Sequence, residues 1–175
     1  MSDSPAHCLI IGGEVKIKDV EQLLEMIYTL SEESNDFMEA GMSEDILADD
    51  ELDVQGFIES AAADTLTLDF RTGWENPALV DLMRYMRTAR IAYDYYAYGG
   101  EEYDDELTEY RSGDIEARWN VCSKQTHEWL LDFTRISALV HGYTVNAEHV
   151  LKQLRKEIPN GRRRLDPLSF VSVVD

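Results

Sequence analysis

The sequence predicts an α+β fold, with helices packed on one face of a mostly antiparallel sheet and a helical C-terminal segment. The first observation is strand-type alternation in three separate parts of the chain, and the second is helical apolar spacing between them. The third is a Tyr-rich stretch, residues 91–121, in which Gly99-Gly100 and Ser112-Gly113 mark turns. A length of 175 residues predicts one acidic α+β domain, 1–175, with residues 122–160 as a helical segment packed on it.

The N-terminal part is predicted as a strand, a helix and an acidic connection. Cys8–Ile17 reads CLIIGGEVKI, which favours a strand that bends at its Gly-Gly pair. From Asp19, the expected N-cap, helical spacing continues to about Ser31. Its inward residues are Val20, Leu23, Leu24, Ile27 and Tyr28. Residues 32–53 contain ten acids and no base, and their apolar side chains predict short helices and turns.

The middle of the chain is predicted to alternate helices and strands. A helix over Val54–Ala63 precedes a strand over Thr65–Phe70. Pro77 opens the next helix, because proline suits a first turn. Its buried stripe is Leu79, Leu82, Met83 and Met86, with Arg84, Arg87 and Arg90 on another face. Three strands then form an antiparallel meander with acidic outward positions, over Ile91–Tyr98, Tyr103–Arg111 and Ile115–Val121.

The C-terminal part is predicted as two helices and a strand. The first helix spans Ser123–His141 and ends at Gly142, a residue that commonly follows a helix. Thr144 or Asn146 caps the second helix, which Pro159 ends. A final strand is expected over residues 168–174.

The charge of the chain is large and uneven. The sequence contains 35 acids and 16 bases, for a net charge of −19. Residues 1–133 hold 31 of the acids and nine of the bases, whereas residues 134–175 hold four acids and seven bases. Such an excess repels itself, which costs stability in the folded state. The apolar fraction of 44% and the many aromatic residues nevertheless predict a folded core.

The composition also excludes several classes of function. A strongly negative chain does not suit direct binding to nucleic acid or to anionic lipid. No stretch approaches 18 apolar residues, and the N-terminus lacks a basic leader pattern, so a cytoplasmic location is expected. The two cysteines, Cys8 and Cys122, are expected to be reduced.

No motif predicts a catalytic residue, a metal ligand or a cofactor site. If Gly56 is aligned with the central glycine of an EF-hand loop, Ala62 falls where a bidentate Glu is needed. Cys122 and His127 could approach each other, but no signature of a cysteine nucleophile surrounds them. The four histidines are scattered along the chain.

The acidic excess favours a non-catalytic inhibitor that mimics nucleic acid and binds a basic DNA- or RNA-handling protein. Closely spaced carboxylates can take the place of phosphates toward Arg and Lys side chains. One predicted contact patch comprises Asp36, Glu39, Glu44, Asp45, Asp49, Asp50, Glu51 and Asp53. A second comprises Glu101, Glu102, Asp104, Asp105, Glu106 and Glu109. In charge and size the chain resembles DNA-mimic proteins, such as phage or plasmid anti-restriction and anti-CRISPR inhibitors, and acidic immunity proteins.

Two other classes of function remain open. The first is a small carboxylate-based enzyme, perhaps metal-dependent, which would use acids that the sheet brings together: Asp69, Asp94 and Glu116. The second is a self-assembling protein, a possible homodimer, that meets through the Tyr-rich hairpin and the basic run Arg162–Arg164. The helical arginines Arg84, Arg87 and Arg90 are expected to bind an anion or to pair with the acidic hairpin.

Overall fold

The structure is a computed structural model that describes residues 5–40, 53–61, 64–73, 75–99, 105–122, 129–130 and 164–172. Its helices are α1 (Ile17–Glu32), α2 (Val54–Ala61) and α3 (Pro77–Ala89). Its strands are β1 (Ala6–Gly12), β2 (Glu14–Lys16), β3 (Asn35–Ala40), β4 (Leu66–Arg71), β5 (Ala92–Tyr98), β6 (Asp105–Tyr110), β7 (Arg118–Cys122), β8 (Trp129–Leu130) and β9 (Ser169–Val171).

Seven of these strands form one antiparallel sheet. Their order across the sheet is β3-β4-β1-β5-β6-β7-β8. The two remaining strands, β2 and β9, pair in parallel beside it. Gly13, at a φ of 77°, allows the chain to bend from β1 into β2. The predicted α+β class is therefore confirmed, as are the bent first strand and the Tyr-rich meander of β5, β6 and β7.

The main core lies between the sheet and the helices. Leu9 and Ile11 of β1 alternate with outward residues, as expected for a strand with one covered face. They pack with the apolar stripe of α1, in which Val20, Leu23 and Leu24 are fully buried. Complete burial of a leucine side chain contributes about 1.5–3 kcal/mol, so this layer is the principal source of stability.

Helix α3 forms where the sequence predicts it, for reasons that are local. Pro77 occupies its first turn, and the Asn76 side chain accepts a hydrogen bond from the Leu79 N–H at 3.2 Å. Arg90 ends the helix in the left-handed conformation, at a φ of 62°. The helix packs beside α1, where the Tyr85 hydroxyl donates a hydrogen bond to the Asp19 carbonyl at 3.0 Å.

The start of α1 differs from the prediction. The helix begins at Ile17, and Lys16 takes the N-cap position without a side-chain hydrogen bond. Asp19 therefore lies in the first turn, where its charge still favours the positive end of the helix dipole.

The acidic segment also contains a strand that the sequence analysis missed. Asn35–Ala40, expected as short helices and turns, forms the edge strand β3 and pairs with β4. The pairing register shifts between Asn35 and Met38, and Asp36 has a φ of 51° at this irregularity. The strand lacks apolar–polar alternation in its sequence because its two large apolar residues, Phe37 and Met38, are adjacent.

The C-terminal predictions can be followed only in part. Trp129–Leu130, placed in a helix by the sequence, forms the short strand β8. The final strand is present over Ser169–Val171, but it pairs with β2 rather than with the large sheet. The remaining residues of the two predicted helices, 123–128 and 131–158, lie outside the described ranges.

Candidate interaction surface

The outward side of α1 carries a row of acids. Glu21, Glu25 and Glu32 are exposed, and their spacing of four and seven residues places them on one stripe of the helix. A rise of 1.5 Å per residue spreads the three carboxylates over about 16 Å. Lys18 is the single base within this helix. Apolar spacing predicts α1 but does not reveal this row, because the three acids lie on the polar side of the helix.

The structure describes the first predicted patch only near its two ends in the sequence, at Asp36, Glu39 and Asp53. Asp36 is exposed and lies 3.5 Å from the guanidinium of Arg71. The exposed Asp53 accepts a hydrogen bond from the Gly56 N–H at 2.8 Å, close to the start of α2. Glu39 lies in β3, opposite Leu68 of β4. Five members of the patch fall outside the described residues: Glu44, Asp45, Asp49, Asp50 and Glu51.

The second predicted patch is less open than expected. Asp105 and Glu106 are half-buried, and an Asp105 carboxylate oxygen accepts a hydrogen bond from the Gly99 N–H at 3.1 Å. Glu109 is fully buried, so it presents no surface to a partner. Glu101, Glu102 and Asp104 lie in a part of the chain that is not described. The acids expected to point outward from the meander therefore include at least one inward-facing carboxylate.

Glu109 belongs to a buried ionic cluster on the sheet face away from α1 and α3. The Arg111 guanidinium lies 2.7 Å from an Asp94 carboxylate oxygen and 3.9 Å from a Glu109 oxygen. It also donates hydrogen bonds to the carbonyls of Tyr93, Tyr110 and Arg164, at 2.9–3.1 Å. Opposite positions in the register of β5 and β6 bring Asp94 and Glu109 together. We call these three side chains the Arg111 cluster.

A second buried polar cluster lies on the helix-facing side of the sheet. The Nε2 of His7 is 3.1 Å from the Thr72 carbonyl, and its Nδ1 is 2.8 Å from the Tyr95 hydroxyl. A carbonyl can only accept, so Nε2 carries the proton and Tyr95 donates to Nδ1. Burial lowers the pKa of His7, which keeps the ring neutral. His7, Thr72 and Tyr95 are called the His7 cluster below.

The arginines of α3 do not pair with the acidic hairpin in the described structure. Arg84 pairs with Asp81 of its own helix at 2.7 Å. Within the described ranges, neither Arg87 nor Arg90 forms an ion pair. Arg84 and Arg87 line an open groove of about 530 Å³ between α3 and the β6–β7 connection. Its other lining residues are Thr88, Ile115, Glu116 and Ala117.

The acids proposed for an enzymatic site are dispersed. Asp94 is held in the Arg111 cluster, Asp69 lies opposite Cys8, and Glu116 is exposed beyond the end of β6. Among the residues that the structure describes, no group of three or more His, Cys, Asp or Glu side chains is placed to hold a metal ion. The described residues therefore bring together neither the three acids nor a cation site.

Comparisons with protein-family models, with curated proteins and with solved structures find no match for this chain. None of the described helices combines the length and the apolar character needed to cross a bilayer.

Proposed function

We propose that this protein is a non-catalytic acidic inhibitor that occupies the nucleic-acid-binding surface of a basic protein. The observation that carries this proposal is the row of exposed carboxylates on α1: Glu21, Glu25 and Glu32. The row extends the acidic surface beyond the two patches expected from sequence. Asp36, four residues after Glu32, and Asp53, just before α2, are further exposed carboxylates.

The spacing of this row is compatible with the proposed role. Along the helix axis the three carboxylates are separated by about 6 Å and about 10.5 Å, a mean of about one charge per 8 Å. One strand of a DNA duplex presents a phosphate about every 3.4 Å of its axis. The α1 row alone thus reaches about two-fifths of that linear density. A partner with several Arg or Lys side chains could meet these groups through charge-assisted hydrogen bonds.

The rigidity of α1 adds to this argument. Five of its residues are buried: Val20, Leu23, Leu24, Ile27 and Leu30. Because these side chains fix the helix to the sheet, the opposite stripe of acids is held in one orientation. A preformed surface loses less conformational entropy on binding than a flexible acidic segment does.

The proposal can be tested by competition for DNA-binding proteins. Proteins from a lysate of the source organism are retained on double-stranded DNA resin, and the purified chain is added in solution. We expect it to release a specific protein, with an affinity that falls steadily as salt rises. The triple variant Glu21→Gln, Glu25→Gln, Glu32→Gln is expected to release at least about tenfold less at equal concentration.

A matched control variant distinguishes an effect of the α1 row from an effect of the protein's net charge. The variant Glu14→Gln, Glu59→Gln, Asp64→Asn removes three exposed acids carried outside α1. It should release the same protein as the unmodified chain does. A further arm neutralises Asp49, Asp50 and Glu51 of the first predicted patch, and a loss there would extend the contact surface to that segment. Equal release by the α1 variant and the unmodified chain would contradict the role of the row.

A further inference from the structure

Two stacked tyrosines lie on the sheet face away from α1 and α3. Tyr96 and Tyr98 of β5 are two residues apart, so both side chains project from this face. Their ring centroids are 6.5 Å apart, with 17° between the ring planes. Tyr98 is nevertheless 44% exposed. The pair therefore presents a fixed aromatic surface to solvent.

Acidic groups lie on both sides of the exposed ring. On one side, Asp69 of β4 lies opposite Cys8 of β1, the strand next to β5. On the other side, Asp105 of β6 accepts a hydrogen bond from the N–H of Gly99, the residue after Tyr98. Burial raises the pKa of the Tyr98 hydroxyl, and Cys8, Asp69 and Asp105 raise it further. The ring is therefore neutral at pH 7 and lies in a negative electrostatic environment.

A basic residue, Arg71 of β4, borders the same surface. It lies one strand beyond the β1 neighbour of Tyr98. Its guanidinium is 3.5 Å from the carboxylate of Asp36, so this positive charge already has a counterion. Asp69 and Asp105 then set the sign of the charge around the ring, and the ligand that they favour is a cation.

The Arg111 cluster and Arg118 lie on the same face but farther from the ring. The strand register puts Glu109 and Arg118 level with Asp94, which precedes Tyr98 by four residues on β5. At a rise of about 3.3 Å per residue, this separation is about 13 Å along the strands. These groups therefore leave the negative environment of the Tyr98 ring in place.

We propose that Tyr98, Asp69 and Asp105 form a binding site for an arginine side chain of a partner protein. A guanidinium is planar, so it can stack on a tyrosine ring while its N–H groups donate to carboxylates. The lysine ammonium is a compact, strongly hydrated charge and stacks less well. Tyr and Arg are also the residues in which binding energy concentrates at protein interfaces. Because the site and the α1 row lie on opposite sides of the sheet, this inference does not depend on the proposed function.

A titration of the full chain with a blocked arginine, N-acetyl-L-arginine amide, tests the site. The tyrosine rings are followed by NMR at 0.15 M salt, where charges more than about 8 Å apart are largely screened. We expect the largest shifts at the rings of Tyr98 and Tyr96. N-acetyl-L-lysine amide should bind about two- to fivefold more weakly. Free L-arginine should also bind more weakly, because Asp69 and Asp105 repel its α-carboxylate.

Variants of the ring test the stacking contact. Tyr98→Leu removes the aromatic surface and should lower the affinity for the blocked arginine about two- to fivefold. Tyr98→Phe keeps the ring and should preserve this affinity to within about twofold. Circular dichroism checks that each variant is folded.

A matched pair of acid variants tests the electrostatic contact. Asp69→Asn should weaken binding about twofold, whereas Asp64→Asn, which changes net charge equally at an exposed position, should not. Equal affinity of Tyr98→Leu and the unmodified chain would overturn the proposal, as would shifts spread evenly over the tyrosines. Tighter binding of free arginine than of the blocked form would overturn its assignment to a protein side chain. None of these results alters the release from DNA resin expected of the α1 row, so the two proposals can fail separately.

Discussion

The polar groups buried on one face of the seven-stranded sheet are charged, whereas those buried on the other face are neutral. On the face away from the helices, the Arg111 cluster holds one guanidinium between two carboxylates. On the helix-facing side, the His7 cluster contains a neutral imidazole between a carbonyl and a hydroxyl. One face therefore depends on ion pairing, and the other depends on keeping a titratable group uncharged.

This difference follows from the groups that surround the buried side chain on each face. His7 stacks with the rings of Phe70 and Tyr95, at centroid separations of 5.5 and 5.8 Å, so its surroundings favour a neutral group. Arg111 is only 17% exposed in its side chain, yet it has backbone carbonyls as well as carboxylates in reach. A buried charge is tolerated when it is both paired and hydrogen-bonded. Removing one partner should therefore decrease the free energy of unfolding more in the Arg111 cluster than in the His7 cluster.

The largest expected effect comes from Arg111→Met. This change leaves the carboxylates of Asp94 and Glu109 buried together without their guanidinium. Loss of one partner from a buried ionic pair costs about 3–5 kcal/mol. We expect a decrease of that size in the free energy of unfolding, measured by urea denaturation at pH 7.

The matched control for this prediction is Arg84→Met. Arg84 also pairs with an aspartate at 2.7 Å, but both side chains are more than half exposed. Exposed pairs of this kind contribute about 0–1 kcal/mol. Equal losses for the two variants would show that burial of the Arg111 cluster does not govern its contribution.

The next effect concerns the pH dependence of stability. Because burial lowers the pKa of His7 in the folded state, the unfolded chain takes up this proton first as the pH falls below the ordinary histidine pKa of 6.5. The contribution of His7 to stability is therefore present above pH 6.5 and is lost as the pH falls toward the lower folded-state pKa. The loss is limited to about 1.4 kcal/mol per pH unit for one proton.

His7→Gln isolates this contribution. Glutamine keeps a donor and an acceptor in its amide but does not titrate. The difference in unfolding free energy between the two proteins, measured from pH 7.5 to pH 5, should therefore shrink as the pH falls. The other three histidines are present in both proteins and cancel in this comparison. A difference that stays constant over the whole range would contradict a lowered pKa at His7.

The two clusters also show what sequence could and could not predict. Helix α3 was predicted correctly because its signals, Asn76, Pro77 and the apolar stripe, are local. Asp94 and Glu109 were expected on the outside because acids at alternating strand positions usually face water. Their burial depends on Arg111 and on the pairing of β5 with β6, which brings distant residues together. The spacing of Glu109 and Arg111, two apart on one strand face, was the available signal.

The same reasoning applies to the acidic surface. The edge strand β3 was missed because its pairing with β4 is non-local and its sequence is rich in acids. The α1 acids were present in the predicted helix, and their common stripe follows from a spacing of four and seven residues. The row could therefore have been recognised from sequence by following the polar side of the helix as well as its apolar side.

The smallest effect distinguishes two tyrosines of β5. Tyr95 donates a hydrogen bond to His7 at 2.8 Å, so Tyr95→Phe leaves the Nδ1 of the ring without this donor. We expect a loss of about 1–2 kcal/mol in the free energy of unfolding. The loss should become smaller only when the pH falls below the lowered folded-state pKa of His7, because a protonated imidazole no longer accepts a hydrogen bond at Nδ1. Urea denaturation at pH 7.5 and pH 5 measures both values.

Tyr93, two residues earlier on the same face, is the matched control. It is fully buried, and among the described contacts its hydroxyl has no hydrogen-bond partner. Burial raises the pKa of Tyr93 to about 12, so the hydroxyl stays protonated across this pH range. Removing an unsatisfied buried hydroxyl loses no hydrogen bond, and Tyr93→Phe should leave stability unchanged or raise it by up to about 1 kcal/mol. If Tyr93→Phe lowers the free energy of unfolding as much as Tyr95→Phe does, the hydrogen bond to His7 is not the cause of the loss in Tyr95→Phe.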